Sequence, residues 1–336
     1  MMGPTGASRI LQIHPTLRCN LRCLHCYSSS GPEERTELPV DLLGDAIAAA
    51  RTEGYTVVSV SGGEPLMYKP LAELLDHAHA CGALTTVTTN GMLLTKRHLG
   101  ELAGRLDLLA ISLDGPPASH NRMRSSEHAF SQMESRLEDL RASGIPFGFI
   151  FTLTQRNVHE LDWVARFAAE QGARLLQIHP LEEVGRARRL LAGDRPDELE
   201  SAYAFLEAAR LRELYAERLT VQLDLVHGDL LRAAPERAYA DDVDSDAPLA
   251  ELVSPLVIEA SGLVVPLQFG FAPAYALGNL RVAPLGELAA QWRRERLPAF
   301  SRVCRSAFEA ITAPADLPFA NWYEVVGDRA EQPLPV

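Results

Sequence analysis

The chain has 336 residues, 47% hydrophobic and 23% charged, with a formal net charge of −12. That length supports one barrel-sized domain plus a smaller appendage, and the negative charge, with no long Lys/Arg block, argues against nucleic acid as a partner. No run of 18 uncharged apolar residues occurs and "MMGPTGASR" lacks an apolar core, which predicts no membrane partner, no secretory signal and a cytoplasmic location.

From residue 9 to about 217, short strand-like runs alternate with helical patterns, which reads as six βα units. The strand candidates are "RILQIHP", "TVVSVS", "LTTVTT", "LDLLAISL", "PFGFIFTL" and "ARLLQIHPL". Their Val, Ile, Leu, Phe and Thr content suits parallel strands covered on both faces. Pro39 opens a helix with Leu43, Ile47 and Ala50 on one face and Gly54 past its end. Pro70 opens a second, closed by Gly82, and Asn157 with Glu160 reads as a capping box. Such units close into a barrel or open into a doubly wound sheet, and both place chemistry at the strands' C-terminal ends. A long helix through Tyr215 and a further strand, "LTVQLDLV", follow. "RAAPERAYADDVDSDAPLAE", with Asp241, Asp242, Asp244 and Asp246, reads as a solvated connector. "PLVIEASGLVVPLQF" then suggests a hairpin turning at Ser261 and Gly262, and Leu285 to Arg296 a helix.

Three of the five cysteines, Cys19, Cys23 and Cys26, crowd the loop after the first strand. An odd count at this spacing argues for reduced thiols converging on a metal rather than a secreted disulfide framework. A structural zinc site closes with four ligands, and His25 could complete one; a [4Fe–4S] cluster on three cysteines keeps an iron open. The C-x-x-x-C-x-x-C spacing resembles the cluster motif of the radical S-adenosylmethionine (SAM) superfamily, with His25 at its usual aromatic position.

Other strand-tip motifs extend the resemblance over roughly residues 8 to 190. "GGEP", Gly62, Gly63, Glu64 and Pro65, follows the second strand; in the superfamily this turn offers backbone groups and a carboxylate to the SAM ammonium. "TTNG" supplies Thr89 and Asn90, and "SLDG" supplies Ser112 and Asp114. Arg124 in "HNRMR" matches the arginine that, with Ser112, contacts the SAM carboxylate in SPASM-type relatives; Arg122 is the nearby competitor. "PLEEVGRA" places Leu181 where the last barrel strand flanks the adenine.

The resemblance implies an α/β fold, a partial (β/α)6 TIM-like barrel over 1–217, an extra strand and acidic connector over 218–250, and a small SPASM/twitch-like α+β cap over 251–336. It implies one [4Fe–4S] cluster on Cys19, Cys23 and Cys26, and SAM cleaved reductively to a 5′-deoxyadenosyl radical that removes a substrate hydrogen. A reductase, flavodoxin or ferredoxin would supply the electron. The cap departs from the family pattern: Leu267 and Ala307 stand where cluster cysteines are expected, so the auxiliary cluster is lost. Cys304 remains as a candidate hydrogen donor, and Cys81 reads as structural.

His14, Tyr27, His179, Glu182, His227 and Asp229 are weaker candidates for binding substrate or moving a proton. Arg186, Arg188 and Arg189 read as a solvated helix face that could otherwise meet an acidic substrate. The expected substrate is a ribosomally made peptide. A small-molecule natural product and a non-catalytic metal-binding scaffold are the alternatives.

Overall fold

A computed structural model describes residues 9–235, 238, 247–315 and 319–332. The strands are β1 (Ile10–Ile13), β2 (Val57–Val60), β3 (Leu84–Thr89), β4 (Leu108–Ser112), β5 (Phe147–Leu153), β6 (Leu175–Pro180), β7 (Thr220–Leu223), β8 (Val226–His227), β9 (Leu256–Ile258), β10 (Leu263–Pro266), β11 (Gly278–Asn279) and β12 (Phe319–Ala320). From β1 to β7 they pair in sequence order, all parallel, in one open sheet. Every βα unit anticipated from the sequence is present.

Part of the C-terminal extension joins the barrel sheet. β9 adds to the free edge of β1 in parallel, and β10 and β11 continue antiparallel from it. The hairpin turn carries Gly262 at φ 90°, a conformation that favours glycine. The strand read from "LTVQLDLV" becomes β7, and β8 instead pairs with β12 in a separate ladder. The acidic stretch around Asp241, Asp242, Asp244 and Asp246 lies outside the described residues.

Local sequence explains the outer helices. The Val40–Thr52 helix starts after Pro39 and buries Leu43, Ala46, Ile47 and Ala50, spaced to form one stripe. Fully burying each large aliphatic side chain contributes about 1.5–3 kcal/mol. One expected capping box is absent. Asn157 caps no helix: its Oδ1 accepts from Thr154 N (2.7 Å) and its Nδ2 donates to the Thr152 carbonyl (2.9 Å), folding it back on the end of β5. Glu160 is drawn away to accept from Ser119 Oγ (2.5 Å). Capping boxes occur instead at Thr95/His98 and Asp197/Glu200.

Candidate active site

The loops after the parallel strands converge on a cavity of about 400 Å³. All three motif cysteines line it, with His25, Gly62, Gly63, Thr89, Asn90, Ser112, Arg124 and Leu181. Parallel strands force this convergence, because each chain exit lies at the same end of the sheet.

The cysteine loop is held to its neighbours by backbone contacts. A Cβ on Gly63 would lie 2.2 Å from the Arg18 carbonyl oxygen, so the second glycine of "GGEP" exists to let the β2 tip meet the cysteine loop. There Gly63 N donates to Thr16 O and Glu64 N to Arg18 O, both at 2.8 Å. Gly185 serves the same purpose from the other side: at φ 56°, a Cβ there would stand 2.2 Å from Tyr27 O. Arg186 then donates to the carbonyls of Cys23 (2.8 Å) and Ser30 (2.7 Å). Sequence reading took Arg186 for a solvated charge; the structure makes it a clamp on the cysteine loop. Arg188 and Arg189 do not line the cavity.

Glu64 differs from its expected role. Its carboxylate is 1% exposed and accepts from Leu66 N (3.0 Å), Thr89 Oγ1 (2.7 Å) and Asn90 N (2.9 Å). It ties the β2 tip to the β3 tip and does not face the cavity, and Pro65 is likewise buried behind it. The open groups of this turn are those of Gly62 and Gly63.

Asp114 is also hidden. It is 0% exposed and receives Arg124 Nε on Oδ2 at 2.6 Å. Burial opposes its ionisation, but Arg124 and the neighbouring His25 and His120 hold it down at about 2. Arg124 in turn reaches Cys23 Sγ (3.8 Å) and lines the cavity, whereas Arg122 is exposed. His25 sits 4.0 Å from Asp114 Oδ2 with its Nδ1 unpartnered, and burial lowers it to about 4.

The donor set fits a cluster better than a single ion. A tetrahedral thiolate site with metal–sulfur bonds near 2.3 Å brings its sulfurs within about 3.8 Å of each other. No three of the donor atoms of Cys19, Cys23, Cys26 and His25 lie mutually within 4.8 Å, and the cysteines are free thiols. Burial, reinforced by Glu64, pushes Cys19 up to about 12, and burial also raises Cys23 despite Arg124. Thiolates in so dry a setting need a strong positive charge, which iron provides.

Cys304 is not brought to the cavity. It lies on the Leu297–Thr312 helix, 5% exposed in the apolar core, and burial raises it to about 12. Apolar packing, not chemistry, accounts for its place, so the hydrogen-donor role has no geometric support. Leu267 does line the cavity, at φ 66° beside Gln268 and Phe269, while Ala307 is fully buried on the same helix as Cys304. His14 is buried against Tyr27 and Phe269, and neither His227 nor Asp229 lines the cavity.

The β6–β7 side holds groups that sequence reading ranked low or missed. His179 Nδ1 lies 3.0 Å from Asp224 Oδ2, and its Nε2 lies 3.5 Å from Glu182 Oε1. Burial works against a charged His179, but the two carboxylates raise it to about 10. Gln12, Ser59, Gln177 and Gln222 complete a polar floor with Tyr323. The available signal was polar residues alternating with apolar ones inside core strands, as in "QLD" at 222–224.

The site is thus a cavity at one end of a partial parallel barrel, lined by three free cysteines and glycine-opened strand tips. Residues 13–168, just under half of the chain, match the Radical SAM superfamily. Among curated proteins it is 28% identical over 292 residues to the Fe-coproporphyrin III synthase of Methanosarcina barkeri, covering 81% of this chain and 71% of the synthase. It is 34% identical over 174 residues to the mycofactocin maturase MftC of Mycolicibacterium smegmatis, covering 51% of this chain but 44% of the maturase. The chain thus matches less than half of that maturase's length. Among solved structures, Streptococcus suis SuiB bound to S-adenosylmethionine superposes with a TM-score of 0.66 at 17% identity, over 90% of this chain and 67% of that one. SuiB has also been solved bound to its precursor peptide SuiA. No helix among the described residues is long and apolar enough to cross a membrane.

Proposed function

We propose that this protein is a radical SAM enzyme that modifies a ribosomally made peptide. The carrying observation is the convergence of the three-cysteine loop and the tips of β2, β3 and β4 on one cavity, whose remaining wall is part polar and part apolar. A [4Fe–4S] cluster on Cys19, Cys23 and Cys26, with SAM, would supply one-electron cleavage of SAM and a hydrogen-abstracting 5′-deoxyadenosyl radical.

The chain's own work is positioning and water exclusion. Ser112 and Arg124 present hydroxyl and guanidinium groups at the cavity, suited to the amino-acid end of SAM, while Asn90 lines it with its side-chain amide bonded to Asn20 Oδ1 and Met92 N. Leu181, 1% exposed, offers an apolar wall for an adenine face. Pro255, Leu267 and Phe269 close an apolar side, which limits water around a reactive radical.

The peptide substrate is supported by the relationship to MftC and by the fold shared with SuiB, whose structure includes a precursor peptide. A second reading, a small-molecule substrate, is favoured by the longer match to the Fe-coproporphyrin III synthase. Anaerobic reconstitution followed by dithionite should release 5′-deoxyadenosine. Co-expression with short open reading frames flanking the gene should then give a peptide of altered mass. Release without any peptide change, alongside conversion of a tetrapyrrole, would select the second reading; a protein that binds no iron would sink both.

A further inference from the structure

The two sides of the cavity carry opposite charge. On the cysteine side stand Arg124 and Arg186, both committed to Asp114 and to loop carbonyls. On the β6–β7 side stand two carboxylates, Asp224 and Glu182, and one imidazolium, His179.

Asp224 is fully used. Its Oδ2 accepts from Gln177 Nε2 (2.6 Å) and His179 Nδ1 (3.0 Å), and its Oδ1 from Gln222 Nε2 (3.1 Å). Glu182 is half used: Oε1 accepts from Asn321 Nδ2 (3.1 Å) and faces His179, while Oε2 has no hydrogen bond among the described residues. The Tyr323 hydroxyl, on the same side, is likewise without a partner there, and burial together with Asp224 and Glu182 raises its pKa, keeping it protonated.

The balance of this side is one negative charge. The adjoining Arg195 does not offset it, since it is bound to Glu324 (2.8 Å), and Glu182 still adds to the forces that raise Glu324 to about 7. An excess negative charge at a half-dry wall is stabilised by a cation and penalises an anion.

We propose that Glu182 and Tyr323 form a subsite for a cationic group of the substrate, an ammonium or guanidinium, held on the β6–β7 side of the cavity. In a peptide, this is a lysine or arginine side chain close to the residue that reacts. His179 and Asp224 are positioning residues: they fix Glu182 by one contact and leave its second oxygen open. The inference rests on reading the cavity as the substrate site.

The test uses oxidised, cluster-loaded, SAM-bound protein carrying labelled histidine, observed by NMR at His179. The probes are Nα-acetyl-lysine amide, its neutral counterpart Nα-acetyl-norleucine amide, and anionic Nα-acetyl-glutamate amide. The lysine probe should shift the His179 resonance saturably and bind at least about tenfold more tightly than either other probe, as expected for one desolvated charge pair. Glu182→Gln should erase that preference, and Tyr323→Phe should weaken it severalfold while His179 keeps its native resonance. The proposal is overturned if the lysine probe causes no shift, if the neutral or anionic probe binds as tightly, or if Glu182→Gln retains the preference. Protein that cleaves SAM but ignores the probes loses only this subsite; protein that cannot cleave SAM loses the proposed activity whatever the probes do.

Discussion

Asp114 and Arg124 form a buried ion pair, Oδ2 to Nε 2.6 Å, that aims the arginine past Cys23 Sγ into the cavity. Asp114 comes from the residues after β4 and Arg124 from the end of the Pro117–Arg124 helix, so the pair locks that helix onto the barrel. Removing one member of such a pair leaves an uncompensated buried charge, at a cost of about 3–5 kcal/mol.

Asp114→Asn should therefore retain iron and lose SAM affinity, because Arg124 is no longer aimed. Equilibrium SAM binding and iron analysis on the same sample check this; tight binding in the variant would show that Arg124 needs no anchor. The pair also sets an acid limit. Asp114 is depressed in the folded state to about 2 from an ordinary 3.8, so its stabilisation is complete above about 4 and disappears as pH falls through about 2. Acid denaturation curves should flatten over that window in the Asn variant.

Each of Cys19→Ala, Cys23→Ala and Cys26→Ala should abolish iron binding and SAM cleavage, since among the described residues only these three cysteines line the cavity. Charge-transfer absorption after anaerobic reconstitution reads this out. Full loading in any one variant would remove that cysteine from the ligand set.

The two close-approach glycines give a structural test. Gly63→Ala and Gly185→Ala place a methyl group 2.2 Å from a carbonyl oxygen of the cysteine loop, a distance that forces the backbone apart. Both should lower the melting temperature and impair cluster loading, whereas Gly100→Ala, where a Cβ meets nothing, should do neither. Backbone strain of this kind costs on the order of 1–3 kcal/mol.

His179 should titrate far above an ordinary histidine. Its folded value of about 10 exceeds the ordinary 6.5, so the network contributes fully below about 6.5 and is lost as pH rises through about 10. Asp224→Asn should bring the NMR-detected midpoint down toward the ordinary value. An unchanged midpoint would mean that the short contact to Asp224 does not hold the proton.

One cluster per chain is expected, about four irons, because Cys304 is embedded in the apolar core and Leu267 and Ala307 cannot ligate iron. Cys304→Ala should leave iron and sulfide content unchanged and cost only packing stability. Mössbauer spectra showing a second cluster, lost in the variant, would reverse this assignment.

The repeating barrel was legible in the sequence because its signals are local: apolar runs of strand length, prolines opening helices, glycines closing them. So were the cysteines and the tip motifs, since residues at successive strand ends must meet when the strands run parallel. What the sequence could not rank was which polar tip residues face the cavity and which are consumed in holding the tips together. Glu64 and Asp114 stand in motifs beside Gly63 and Ser112, yet their carboxylates turn inward to backbone amides or to Arg124. Arg186 and Asp224 gained their roles from partners 163 and 45 residues away, Cys23 and His179. The joining of β9 to β1 was equally hidden, because an edge strand's hydrogen-bonding groups are the same for any partner and only the packed barrel leaves that edge free. Burial and long-range pairing are properties of the closed chain, and they alone decide whether a polar side chain binds a ligand or binds the protein to itself.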